Sequence, residues 1–300
     1  MYTVRGFTDR YTPAMGTSWR GRRVIVAGGT TGFGVALARR LLAVGCRVLV
    51  VGRSSGSVRD GLERIEGPRA GGAASRVRGV AADLARPGEG GRVVGEALRH
   101  WDGVDDLFFC VGRSGRARIL TTPPAALAAA VEANLLTAVE LTQAVADDVA
   151  AASGHLVFVG SLAGKLVTPW MGPYCVGKAA LAAWVDALRL EVAPRGAHVL
   201  LVSPGPIRRE STAATAADPQ PGRYADDVAD GGLPDAAARP GGGAAVKAID
   251  PDWLAGRILA ACDRRTAELV VPAKAALLAG LVEWFPDAGR HLLGRFAPPG

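Results

Sequence analysis

The stretch VIVAGGTTGFG, residues 24–34, decides how the rest of the chain is read. Val24, Ile25, Val26 and Ala27 form a short, largely β-branched run, the composition of a buried strand. Glycines at 28, 32 and 34 let the backbone turn tightly, and residues 33–44 resume with apolar positions at helical spacing. A strand that turns into a helix in this way leaves the helix's first N–H groups and the positive end of its dipole facing the turn. That is a site for a pyrophosphate. The glycines alone carry little weight in a chain with 40 of them; their place between a strand and a helix gives them meaning. The candidate cradle is Gly28, Thr30, Thr31, Gly32, Phe33 and Gly34.

Outward from that turn, strands and helices alternate. RVLVVG (47–52), RVRGVAADL (76–84), DDLFFCVG (105–112), HLVFVGS (155–161) and AHVLLVSPG (197–205) read as further strands. Helices are expected over 88–100, 124–151 and 173–193. The strands are near-continuous apolar runs, so both faces of the sheet are covered. The expected fold is α/β, a Rossmann-like doubly wound parallel sheet with helices on both faces. Residues 1–21 read as an irregular arm and 22–272 as a single domain. A further helix is expected at 251–263 and an edge strand at 268–272. Residues 211–248, rich in Ala, Gly, Pro and Asp, read as a flexible substrate lid. Residues 273–300 read as an amphipathic extension of two short helices split at Pro286. It suits packing on the domain, on a second subunit or on a bilayer.

The bulk composition excludes several classes. Of 300 residues, 49% are hydrophobic, enough for a sizeable core. The net charge of +7 comes mostly from scattered arginine, with no basic run, so nucleic acid is not an expected partner. Cys46, Cys110, Cys175 and Cys262 lack metal or redox spacing, and the four histidines stand apart in sequence, so no metal is expected. The N-terminus carries no signal-peptide core, and no run reaches the roughly 18 apolar residues of a membrane span. A cytoplasmic protein is expected.

The second strand selects the cofactor. A ribose 2′-hydroxyl calls for a carboxylate about twenty residues after the glycine turn. Here the strand ends in Gly52-Arg53-Ser54, with no carboxylate to repel a 2′-phosphate. Arg53 is placed to clamp that phosphate and Ser54 to donate to it, so NADP(H) is expected over NAD(H). Asp83, followed by Leu84, suits either an adenine amino group or a helix N-cap.

Tyr174 and Lys178 stand four residues apart in an expected helix and so share a face. A free tyrosine titrates near pH 10, and a neighbouring ammonium pulls it toward neutrality. Ser161, ending strand five, could hold a substrate oxygen beside that phenol. Asn134 lies inside an apolar helix, where an amide needs partners unless it faces solvent.

In this order the residues resemble the short-chain dehydrogenase/reductases, in their compact single-domain branch, over about residues 22–208. The resemblance implies that Tyr174 is the general acid/base, that Ser161 steadies the substrate oxygen, and that Lys178 lowers the tyrosine pKa and fixes the ribose. It implies that Asn134 holds a water in a relay to Lys178, that Gly112, Pro204 and Gly205 border the nicotinamide, and that Ile207 touches it. Subunit pairing through 124–151 and 173–193 is also implied. Two departures stand out. The family's Asn-Asn-Ala-Gly is Phe109-Cys110-Val111-Gly112 here, and its nicotinamide-capping threonine is replaced by Arg209, with Ser211 nearby. The expected function is an NADP(H)-dependent exchange between a carbonyl and an alcohol on a small-molecule substrate, with an apolar one compatible with the tail. The alternative is a non-catalytic NADP-binding module.

Overall fold

Seven parallel strands make one sheet: β1 Arg23–Ala27, β2 Arg47–Gly52, β3 Val77–Ala81, β4 Asp106–Phe109, β5 His155–Val159, β6 His198–Pro204 and β7 Glu268–Val271. Their spatial order is β3-β2-β1-β4-β5-β6-β7. The computed structural model describes residues 19–67, 75–208, 224–239 and 247–296. Strand order reverses between β1 and β4, which pair with Val24 opposite Asp106 and Ala27 opposite Phe109. A crevice opens at such a switch point, outside the strands' carboxyl ends.

Side chains alternate across each strand and divide the core in two. Ile25, Ala27, Leu107 and Phe109 face α3 (Glu89–Leu98), α5 (Thr137–Ala151) and α6 (Gly172–Val192). Val24, Val26 and Phe108 face α1 (Gly32–Ala43) and α8 (Pro251–Asp263), with α2 (Ser55–Glu66) at their edge. Burying each large apolar side chain stabilises the fold by about 1.5–3 kcal/mol.

Several expected bounds move. The third and fourth strands are shorter than read, because the chain leaves the sheet at the crevice to line it. Trp19, in the stretch read as an arm, is buried against Phe108 and donates to Asp263. The run 124–151 is not one regular helix. It divides into α4 (Pro124–Val131), a π-turn at Glu132–Leu136, and α5. By length and mean hydropathy this run is apolar enough to cross a membrane, although Glu132, Asn134 and Glu140 interrupt it, so it holds no unbroken apolar span. Its α5 part packs on α3 and its α4 part on α6, with 28% of its most apolar stretch buried. Within the stretch read as a lid, α7 (Ala225–Asp230) and a 3-10 turn at Asp235–Ala238 form. The tail makes α9 (Ala273–Trp284), packed on β7, and α10 (Pro286–Phe296), packed on α9. Apolar residues surround α9, with Leu277 and Trp284 exposed, so it lacks the single stripe of an amphipathic helix.

At the amino end of the strands Arg22 grips the fully buried Asp106 twice, Nε to Oδ2 at 2.6 Å and an Nη to Oδ1 at 2.7 Å. Asp106 also accepts from the His155 N–H at 2.9 Å. Removing the carboxylate strands a guanidinium and a backbone donor. Asp106→Ala is therefore expected to cost about 3–5 kcal/mol in urea unfolding. A loss below about 1 kcal/mol, the size of a surface pair, would contradict this.

Candidate active site

One cleft of about 3500 Å³ lies at the carboxyl ends of the strands. It gathers the glycine turn, Arg53, Asp83, Leu84, Gly112, Ser161, Tyr174, Lys178, Pro204, Gly205 and Ile207. The turn is built for close approach. Gly28 takes φ +73°, and a Cβ on Gly34 would meet the Gly28 carbonyl oxygen at 2.0 Å. Thr31 caps α1 without a side-chain hydrogen bond to its first turn. Those N–H groups and the dipole end are directed at the cleft.

After β2, exposed Arg53 lines the cleft. Ser54 does not; it caps α2, accepting from the Ser57 N–H at 3.2 Å. Ser57 lines the cleft in its place, a residue the sequence reading missed although the Ser-x-x-Ser cap is local. Asp83 accepts from the Ala85 N–H at 3.3 Å in a turn. Its reading as a helix N-cap fails, because α3 starts at Glu89 behind Gly88.

Tyr174 is the third residue of α6 and Lys178 lies one turn on. Lys178 is only 4% exposed, and its Nζ donates to the Val159 carbonyl at 3.0 Å. Burial pulls its pKa down to about 8, the half-buried Cys110 alongside opposing the shift. The Cys110 thiol is itself pushed up to about 12 by burial. Ser161 follows β5, and its hydroxyl accepts from the Ala163 N–H at 3.1 Å.

Asn134 is fully buried within the π-turn, which rules out the solvent-facing reading. Its amide donates to Ala130 O at 2.9 Å and Arg113 O at 3.0 Å, and accepts from the Arg113 N–H at 3.3 Å. It thus clamps the loop after β4 from behind the cleft wall. A Cβ on Gly112 would lie 2.8 Å from Asn134 Oδ1 and 2.9 Å from Lys178 Nζ. Only glycine leaves room for both groups against that backbone.

Beyond Pro204, the Gly205 N–H donates to Val271 O at 2.7 Å, and Ile207 pairs with Ile249. Arg209 and Ser211 lie outside the described residues. The rest of the cleft wall is largely apolar and includes Leu166, Trp170, Met171, Leu278 and Leu293. Periodicity gave no sign that α9 and α10 reach the site.

The histidines are less isolated than the sequence suggests. At the opposite end of the sheet His155 and His198 meet Nδ1 to Nδ1 at 2.9 Å, with Cys262 beside them. His198 Nε2 lies 2.9 Å from Thr266 O, which places its proton there. In the neutral pair His155 then donates to His198 Nδ1. Burial holds both rings neutral, pushing His155 down to about 3.

The family model for the short chain dehydrogenase matches residues 22–220. The chain belongs to that family. Among curated relatives it is 32% identical over 187 residues to dehydrogenase/reductase SDR family member 7B of Danio rerio, covering 62% of this chain and 60% of that one. It is 29% identical to 11-beta-hydroxysteroid dehydrogenase type 2 of Homo sapiens, over 63% of this chain and 46% of that protein. The chain thus spans 57–60% of the length of the first curated relatives it matches. A short chain dehydrogenase from Burkholderia cenocepacia J2315, solved in complex with NADP, shares the fold. Its TM-score is 0.70 at 21% identity, over 94% of this chain and 99% of that one.

Cys110 is where the sequence departs from the pattern that the resemblance implies. The Cys110 N–H donates to Ala27 O at 2.9 Å and so joins the sheet, and the residue's backbone lies 3.1 Å from where a Gly28 Cβ would sit. The thiol stands near Lys178, where the resemblance implies an asparagine amide.

Proposed function

We propose that the protein is an NADPH-preferring oxidoreductase that interconverts a carbonyl and an alcohol, with Tyr174 as general acid/base. The observation that carries this reading is the buried Lys178, one helical turn from Tyr174 in the cleft that also holds Ser161. The glycine turn fits a nicotinamide nucleotide, since a Cβ at Gly34 would collide with the Gly28 carbonyl and open the tight turn that lines the cleft. The turn N–H groups would hold its pyrophosphate, Arg53 a 2′-phosphate, and Lys178 the nicotinamide ribose. Such a nucleotide, when bound, supplies or takes a hydride at the substrate carbon.

The chain's own groups manage the proton. Ser161 donates to the carbonyl oxygen and fixes it beside the phenol. Tyr174 gives its proton to that oxygen in reduction and takes it back in oxidation. The Lys178 ammonium stabilises the phenolate left behind, an effect strengthened by burial. Asn134 holds Arg113, next to Gly112, in place so that this floor stays open. The apolar wall suits a bulky, largely apolar ketone or alcohol. The reading includes a homo-oligomer paired through the 124–151 run and α6, which leave Leu136 and Leu190 exposed.

Arg53 gives a direct test of cofactor choice. A charge-assisted hydrogen bond contributes about 1.5–3 kcal/mol, so wild type is expected to bind NADPH at least tenfold more tightly than NADH. Arg53→Ala is expected to erase that difference while leaving NADH affinity within about twofold. Fluorescence titration measures both. Equal affinities in wild type would overturn the preference.

A further inference from the structure

The loop after β4 does more than border the cofactor cleft. Arg116 is 5% exposed, deep for a guanidinium. Its Nε donates to Ala237 O at 2.6 Å and an Nη to Arg239 O at 3.1 Å. Its plane lies over the Tyr224 ring, 3.7 Å from the centroid. The Arg116 N–H donates to Asp227 at 2.9 Å, and Ser114 and Tyr224 share a hydroxyl hydrogen bond of 2.8 Å. One arginine thus ties both ends of segment 224–239 to the cleft rim.

The same loop reaches Tyr174. The Ala117 N–H donates to Trp170 O at 2.9 Å, and Ala117 pairs with Met171. Trp170 packs beneath Leu233 and Ala237 of the tied segment. It holds a left-handed φ of +59°, a conformation that a bulky residue keeps only when its surroundings enforce it. Met171 is the N-cap of α6, three residues before Tyr174. A continuous set of contacts therefore runs from Arg116 through segment 224–239 and Trp170 to the helix start that carries the phenol.

We propose that Arg116 is a positioning residue of the reaction, seating segment 224–239 over the cleft and thereby fixing the start of α6 and the setting of Tyr174. The inference rests on the reading of Tyr174 as the general acid/base. It places the seating element in the Arg116–Tyr224 stack at the cleft rim.

The test uses the full chain as wild type, Arg116→Ala, Arg116→Lys and Tyr224→Leu, each also combined with Tyr174→Phe. Hydrogen exchange reads the seating of 224–239. Absorbance at the phenolate band, taken as the difference between each protein and its Tyr174→Phe partner, reads the titration of Tyr174 alone. In Arg116→Ala and Tyr224→Leu, exchange in 224–239 is expected to quicken about tenfold or more. The Tyr174 midpoint is expected to move toward that of free tyrosine, about 10, as water reaches the phenol. Arg116→Lys, which keeps the charge and loses the fork, falls between. NADPH affinity stays within about twofold throughout, because the stack does not touch the glycine turn. Quickened exchange with an unmoved Tyr174 midpoint would reduce Arg116 to a structural anchor and overturn the proposal, as would unchanged exchange. Wild type that binds no NADPH would overturn the functional reading beneath it, a result separable from the other two.

Discussion

Tyr174→Phe is expected to lower the rate of NADPH-dependent ketone reduction about a thousandfold, within the range for loss of a general acid. The argument is one of atoms. Hydride addition leaves negative charge on the carbonyl oxygen, and the phenol hydroxyl is the proton source that the buried Lys178 ammonium is placed to tune. Phenylalanine keeps the ring, its contacts with Ala163, Met171 and Cys175, and the helix start. It removes only the hydroxyl. NADPH affinity should therefore hold within about twofold, since uniform binding is untouched while transition-state stabilisation is lost. A ketone panel followed by NADPH absorbance gives the rate, and fluorescence titration gives the affinity. A variant that kept more than a tenth of the wild-type rate would remove Tyr174 from the chemistry. Lost binding would instead mean that the substitution had disturbed the cleft.

Whatever depends on short sequence distance was legible before any coordinates. The glycine turn, the four-residue spacing of Tyr174 and Lys178, and Ser161 at a strand end all follow from period and punctuation. The seven parallel strands follow in the same way, because a strand buried on both faces must read as an apolar run. Features made by distant chain segments were not legible. Ser114 and Tyr224 are 110 residues apart, and His155 and His198 are 43 apart, so neither pair leaves a local mark. The π-turn adds a residue to a helical repeat without changing composition; the polar Asn134 amid apolar neighbours was its only trace. Ser57 is the exception, for its capping pair with Ser54 is local and readable. The part of the tail that lines the cleft was hidden for another reason. Leu278 and Leu293 show that α9 and α10 reach the site, but apolar residues spread round a helix do not say which of them face a cavity.

Lys178→Met is expected to make the protein more stable and far less active. Methionine nearly matches the aliphatic stem and carries no charge. In the folded protein the Lys178 ammonium has a pKa of about 8, against 10.5 for the ordinary side chain, because burial penalises the charged form. The sign follows from proton uptake. Between these two values the unfolded chain binds the proton and the folded one does not, so wild-type stability rises as pH climbs from about 8 to about 10.5. Below pH 8 the folded state carries the full penalty, on the order of 3 kcal/mol before the hydrogen bond to Val159 O is set against it. At pH 7 the variant should melt several degrees above wild type, and the gap should narrow as pH passes through that window. Its rate should fall at least about a hundredfold, because the phenolate loses its nearby cation. A variant that melts lower at pH 7, with a gap independent of pH, would mean that Lys178 supports the fold. The opposed signs also separate an enzyme from a binding module on the same fold. A module that only held a nucleotide would keep an unfavourable buried charge for no more than a ribose contact. The predicted stability gain would then come with a modest loss of affinity and no chemistry to lose.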